Sequence, residues 1–197
     1  MKKIIPIIAV VAIILIIVVA CFIIKSKKGT DKPGVSNGGV TLELDMAHFN
    51  EKVYTSHFDL SGDIKVAEFD EDEPETVRLE NEKEKYVIDI TLDEDAKEAV
   101  EQFNDTAKTC ENYTDTKFGK YEGYSYLDNE DMVATIILDK SDENANVYVL
   151  VSIYFDTDSD DEETGNIEQV YKSSSVQNLL NSISYKSATA KPDSNDE

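Results

Sequence analysis

Residues 86–110 read YVIDITLDEDAKEAVEQFNDTAKTC, and a change of period inside this stretch sets the expected fold class. Tyr86, Ile88, Ile90 and Leu92 alternate with Val87, Asp89 and Thr91, the two-residue repeat of a strand with one buried face. From Asp93 the apolar residues recur three and four apart instead, at Ala96, Ala99, Val100, Phe103, Ala107 and Cys110. Thr91 and Glu94 are spaced as a capping box, and acids crowd the first turn, where the helix dipole favours them. Glu94, Lys97, Glu98, Glu101 and Asp105 fall on the other side and read as a solvated face. The stretch therefore predicts a strand that runs directly into a long amphipathic helix laid on a sheet.

Outward from it, alternation dominates. Upstream, Val40, Leu42, Leu44 and Met46 point one way and Thr41, Glu43 and Asp45 the other. A second strand is expected through Phe58, Leu60, Ile64 and Val66, interrupted by Gly62. Downstream, residues 121–127, 132–138 and 146–155 read as three strands joined by Asp- and Asn-rich turns, which suits an antiparallel meander. Ser173–Ser175 offer an N-cap for a short helix through Val176, Leu179, Leu180 and Ile183, with a closing strand at 184–186. The expected fold is α+β: an antiparallel β-sheet of about six strands covered by one long and one short helix, preceded by a single N-terminal transmembrane helix. No internal repeat is present.

That transmembrane helix is read from residues 4–24, bounded by Ile4 and Ile24, a run of 21 residues without a charge. At the rise of an α-helix it reaches about 30 Å, the thickness of a bilayer core. Pro6 falls in the first turn, where its missing N–H has no intrahelical partner to lose. An uncleaved signal anchor is the first reading, since the run is long and lacks a small-x-small cleavage site. Val18-Val19-Ala20-Cys21 resembles a bacterial lipobox, with Cys21 as the lipidation site, although Phe22, Ile23 and Ile24 continue the apolar run where a polar linker is usual. Four lysines follow the span and two precede it, which by the positive-inside rule points the domain inward. The short Met-Lys-Lys start is that of an exported chain and places it outside. Residues 25–39 form a polar Gly/Ser/Pro linker, 40–186 a single acidic soluble domain, and 187–197 a tail too polar to order.

Residues 1–32 carry six lysines against Asp31, or +5, so the rest of the chain carries −27 of the formal −22. Such a field repels phosphate backbones and excludes nucleic acid as a partner. Two cysteines, Cys21 and Cys110, exclude a disulfide framework. The acidic run at 156–163 keeps Asp156, Asp158 and Asp160 at calcium-loop positions. It has Asp161 where the turn needs glycine and Ile167 where a bidentate glutamate belongs, so a weak calcium site is the most it supports. The run 70–75, containing Pro74, reads as a solvated connection. His48 and His57 have no metal-ligand spacing, and Gly123-Tyr124-Ser125-Tyr126-Leu127 lacks the closing glycine of a nucleophile elbow. Cys110 lies on an apolar stripe as a small core residue. Tyr113, Tyr121, Tyr124 and Tyr126 form the densest aromatic cluster, a surface for sugar or peptide if exposed on one side. No catalytic residue, cofactor or metal ligand is assigned.

The element order, with Phe118-Gly119-Lys120-Tyr121-Glu122-Gly123-Tyr124 and Val176-Gln177-Asn178-Leu179-Leu180-Asn181-Ser182-Ile183, resembles the PsbP-like fold of bacterial membrane-anchored or lipoprotein accessory domains. That resemblance covers residues 60–186 and implies an antiparallel sheet sandwiched by helices and a non-enzymatic accessory role. The sequence thus predicts a single-pass, cell-membrane, extracytoplasmic accessory or binding module contacting a protein or envelope partner. The alternatives are a carboxylate-using envelope hydrolase or a lipoprotein with a weak calcium-binding acidic loop. If residues 4–24 span the membrane, Cys21→Ser should leave both the size and the membrane fractionation of the chain unchanged. Loss of processing in that variant would make it a lipoprotein instead.

Overall fold

The alternation at Tyr86 extends further than the sequence suggested. In the computed structural model, which describes residues 33–36, 38–46, 51–110, 112–128, 131–139, 147–155 and 165–190, it continues to Glu94. The strands are β1 (Gly34–Ser36), β2 (Gly39–Met46), β3 (Lys52–Asp59), β4 (Lys65–Glu68), β5 (Thr76–Asn81) and β6 (Tyr86–Glu94). After α1 (Ala96–Ala107) come β7 (Asn112–Phe118), β8 (Tyr121–Asp128), β9 (Met132–Leu138) and β10 (Val147–Phe155). Then α2 (Ile167–Tyr171) and α3 (Ser174–Ser182) lead into β11 (Ser184–Thr189).

The expected α+β fold, with about six strands under one long and one short helix, is corrected by this order. The described chain is mostly β, built as two antiparallel sheets of four and seven strands with three short helices. Sheet order is β1-β2-β3-β11 in one and β4-β5-β6-β10-β9-β8-β7 in the other. Four strands were not read as such. Val77 and Leu79 of β5 sit just beyond the acidic run, and β7 (NYTDTKF) is too polar to stand out. Phe58 lies one residue before the end of β3 and does not begin a strand through 66. Gly62, at φ 64°, turns the chain into β4, and a side chain there would run into Ser175.

The physical reason for a second sheet lies on β6 and β10. Ile88, Ile90, Leu92, Val149, Val151 and Ile153 point to one face and are fully buried. The helix that was expected to cover them lies on the opposite face. Asp95, at φ 62°, reverses the chain after β6 without a side-chain cap, so the Thr91/Glu94 capping box does not form. Phe103 and Ala107 of α1 then pack on Tyr126, Ala134, Ile136, Leu138 and Tyr148. The inner face is covered by Val40, Leu42 and Phe58 of the four-stranded sheet and by Ile167, Val176, Leu179 and Leu180 of α2 and α3.

Two seams close the sandwich. On one side Glu43 donates its N–H to the Pro74 carbonyl (2.9 Å) and Leu92 to the Glu75 carbonyl (2.8 Å). The acidic run 70–75, read as a solvated connection, therefore ties the two sheets together. On the other side Asn181 accepts from the Gly119 N–H and Ser182 from the Asp59 N–H, each at 2.8 Å, and the Tyr185 hydroxyl donates to the Ile137 carbonyl at 2.6 Å. Ser173 caps α3 as expected, its hydroxyl accepting from the Val176 N–H.

The boundaries shift with these strands. Within the expected 25–39 linker, Gly34–Ser36 are a strand paired with β2. The expected tail at 187–197 is strand at its start, with Ser187 opposite Tyr54 and Thr189 opposite Lys52. Residues 4–24, with Cys21, lie outside the described residues. No helix among the described residues is long and apolar enough to cross a membrane.

If the second sheet completes the core, Phe58→Ala should cost about 3–5 kcal/mol in urea unfolding, the usual loss for a buried aromatic. A loss under about 1 kcal/mol, as at a surface site, would place Phe58 outside the core.

Candidate functional site

Helix α1 covers only the β8–β9–β10 part of the outer face of the seven-stranded sheet. Over β5 and β6 no described element covers that face, and it carries Arg78, the only arginine in the chain beside 18 lysines. Arg78 lies directly across from Asp89, and Asp89 directly across from Ser152. The register brings guanidinium and carboxylate together side on. Nε and Nη2 of Arg78 donate to the two Asp89 oxygens at 2.9 and 3.2 Å, a bidentate pair that lysine could not form. The Tyr154 hydroxyl donates to Asp89 at 2.6 Å and accepts from Arg78 at 3.1 Å. One strand length away the Tyr148 hydroxyl donates to Asp93 at 3.1 Å. Two tyrosines of β10 thus each engage an aspartate of β6.

Neither hydrogen-bonding partner of the Asp89 carboxylate titrates near neutral pH. Burial and then the Asp89 carboxylate push the Tyr154 hydroxyl well above the ordinary tyrosine range, and Asp89 raises the Arg78 guanidinium further still. Both keep their protons at neutral pH. The side chains of Arg78 and Asp89 retain 48% and 36% of their surface, so a partner can reach them.

A second constellation lies on the outer face of the four-stranded sheet. His57 Nδ1 is 3.0 Å from the Thr41 hydroxyl, and Nε2 is 3.4 Å from Asp59. The ring rests over Gly39, where an added Cβ would sit 2.8 Å from it. The order hydroxyl, imidazole, carboxylate is that of a hydrolytic triad. Yet Thr41 lies between Gly34 of β1 and His57 of β3, where backbone N–H groups are committed to the ladders. An acyl-transfer centre needs such donors free to hold an oxyanion. The arrangement fixes His57 and does nothing further that the geometry supports.

The other sequence candidates are dispersed. Tyr121 packs edge-on against Tyr185 on the inner side, whereas Tyr126 stacks on Phe103 (centroids 4.6 Å apart) on the outer side. The tyrosine cluster therefore does not form one exposed row, and the Tyr113 side chain lies outside the described residues. Burial and the nearby Asp128 raise the Cys110 thiol, which stays protonated beside the Thr106 carbonyl, 3.6 Å away. Among the described residues no group of histidine, cysteine and carboxylate side chains could hold a metal. His48 and the acidic loop 156–163 lie outside them. No family model, curated protein or solved structure matches the chain.

Sequence reading passed over Arg78, Asp89 and Tyr154. The signal that marks them is compositional: one arginine in a lysine-rich chain, on a strand whose neighbour carries aspartate at the same register.

Beside this face the Pro74 seam concentrates acid. Burial raises the carboxyls of Glu75 and Asp93 above their ordinary values, with Glu73 and Asp93 adding to the first and Asp95 to the second. The folded chain then holds these protons more tightly than the unfolded one. The stability they contribute is fully present below the ordinary values of 4.5 and 3.8 and falls as pH rises through the raised folded ones. Lowering pH from 7 towards the ordinary values of 4.5 and 3.8 should raise the contribution of these two groups to the urea midpoint, and Glu75→Gln with Asp93→Asn should remove that part of the pH dependence. Equal slopes in both proteins would remove these two groups as its source.

Proposed function

We propose that this chain is an extracytoplasmic accessory module, tethered to the cell membrane by residues 4–24, that docks a basic protein surface on the face of β5, β6 and the Tyr154 end of β10. The observation that carries this reading is the Arg78–Asp89–Tyr154 array on a sheet face that α1 leaves half uncovered. Arginine and tyrosine are the residues that most often anchor protein interfaces, because each presents a large rigid surface with directional donors. Partner charge follows from the −27 carried beyond residue 32, which attracts a basic surface over distances longer than any contact. Neither a cofactor nor a catalytic step enters this reading.

A photo-crosslinking residue at Glu80, on this face, should trap a protein partner in intact cells, while one at Lys117, on β7 at the far edge, should not. Arg78→Ala should reduce the Glu80 yield about tenfold, as loss of an interface anchor worth roughly 1.4 kcal/mol would. Equal yields from both positions, or none from Glu80, would overturn this assignment of the face.

A further inference from the structure

The four-stranded sheet ends on β11, a six-residue strand with β3 on one side and no described strand on the other. Its even-numbered residues face β3: Ser184, Lys186 and Ala188 pair with His57, Thr55 and Val53, and the next even residue, Ala190, donates its N–H to Glu51 at 2.7 Å. Odd-numbered residues therefore turn their backbone groups outward. The first of these is already satisfied, since the Tyr185 N–H donates to the Tyr121 hydroxyl at 3.1 Å. Ser187 and Thr189, both exposed, leave their N–H and C=O groups directed off the edge of the sheet.

We infer that this edge pairs with the same edge of a second copy of the chain, joining two four-stranded sheets into one of eight about a twofold axis at Ala188. The choice of occupant rests on self-complementarity. An antiparallel copy centred on Ala188 sets Ser187 across from Thr189 of its partner twice over, giving four backbone hydrogen bonds and using every open group of both residues. Ala188 then faces Ala188 in a pair without backbone hydrogen bonds, where side chains come closest and a small one fits. Lys186, the strand's one charge, falls across from Ala190 and avoids its own copy. The registers centred on Ser187 and on Lys186 would each need the Tyr185 N–H that Tyr121 holds, and the second would also oppose two lysines. Two anchors in one membrane confine the copies to a surface and raise their effective concentration. Each copy carries −22, so the pairing strengthens as salt screens their repulsion.

Oxidative crosslinking of the full-length chain in membranes tests both the pairing and its register. The parent chain, with Cys21 and Cys110, sets the background. Ala188→Cys should move most of the chain to a covalent dimer, Lys186→Cys alone should stay at background, and differently tagged Lys186→Cys and Ala190→Cys chains made together should crosslink to each other. Ser187→Pro, which removes an outward N–H without touching the β3 ladder, should lower the Ala188→Cys yield while β content stays unchanged by circular dichroism. The inference is overturned if Ala188→Cys stays at background, if Lys186→Cys dimerises as well as Ala188→Cys does, or if Ala188→Cys joins to a different protein.

Discussion

Everything in this domain depends on the inner face of β6 and β10. Six aliphatic side chains from two adjacent central strands, three from each, lie fully buried there. An area of that size cannot be left to water, at about 25 cal/mol for each Å² of apolar surface. A single helix of 12 residues, about 18 Å long and about 10 Å across, covers about two of the seven strands and leaves the rest of that face bare. The chain meets the constraint with a second sheet and two short helices, and α1 is thereby released to the outer face. The site follows from the same arrangement. Because α1 is too short to span the outer face, β5 and β6 remain open, and their cross-strand register assembles Arg78, Asp89 and Tyr154.

Polar groups set the edges of this construction. Inside the core Ser125 is satisfied by Thr135 at 3.0 Å and by Tyr171 at 2.9 Å, so a polar strand position is accommodated facing α2. At the rim, backbone donors of Glu43 and Leu92 end on consecutive carbonyls of the acidic run. A chain with 41 acids thus places part of its like-charge repulsion at the seam that joins its two layers. Proton binding and sheet attachment are coupled there.

The legible and illegible parts of the sequence divide along physical lines. Strands with strict alternation, such as 40–46 and 86–92, stood out because burial on one face imposes period two, whereas 132–138 is buried on both faces and stood out as an apolar run. The helix at 96–107 was visible in its spacing, but spacing does not say which face of a sheet a helix covers. That choice was made by the left-handed turn at Asp95, which residue type alone did not indicate. Strand β7 escaped because cross-strand pairing, not apolar burial, holds a polar edge strand in place. The site escaped for a related reason: Arg78 and Asp89 are 11 residues apart in the chain and Tyr154 is 65 beyond Asp89, so only the register reveals them.

The four-stranded sheet is an integral layer of one core and not an appendage on the seven-stranded one. Native-state hydrogen exchange measures this directly. The amides of Leu42 and Phe58 should exchange as slowly as those of Ile90 and Val151, through unfolding of the whole domain, and with the same denaturant dependence. Exchange at Leu42 and Phe58 that is orders of magnitude faster, through a local opening that leaves Ile90 and Val151 protected, would contradict the two-layer account.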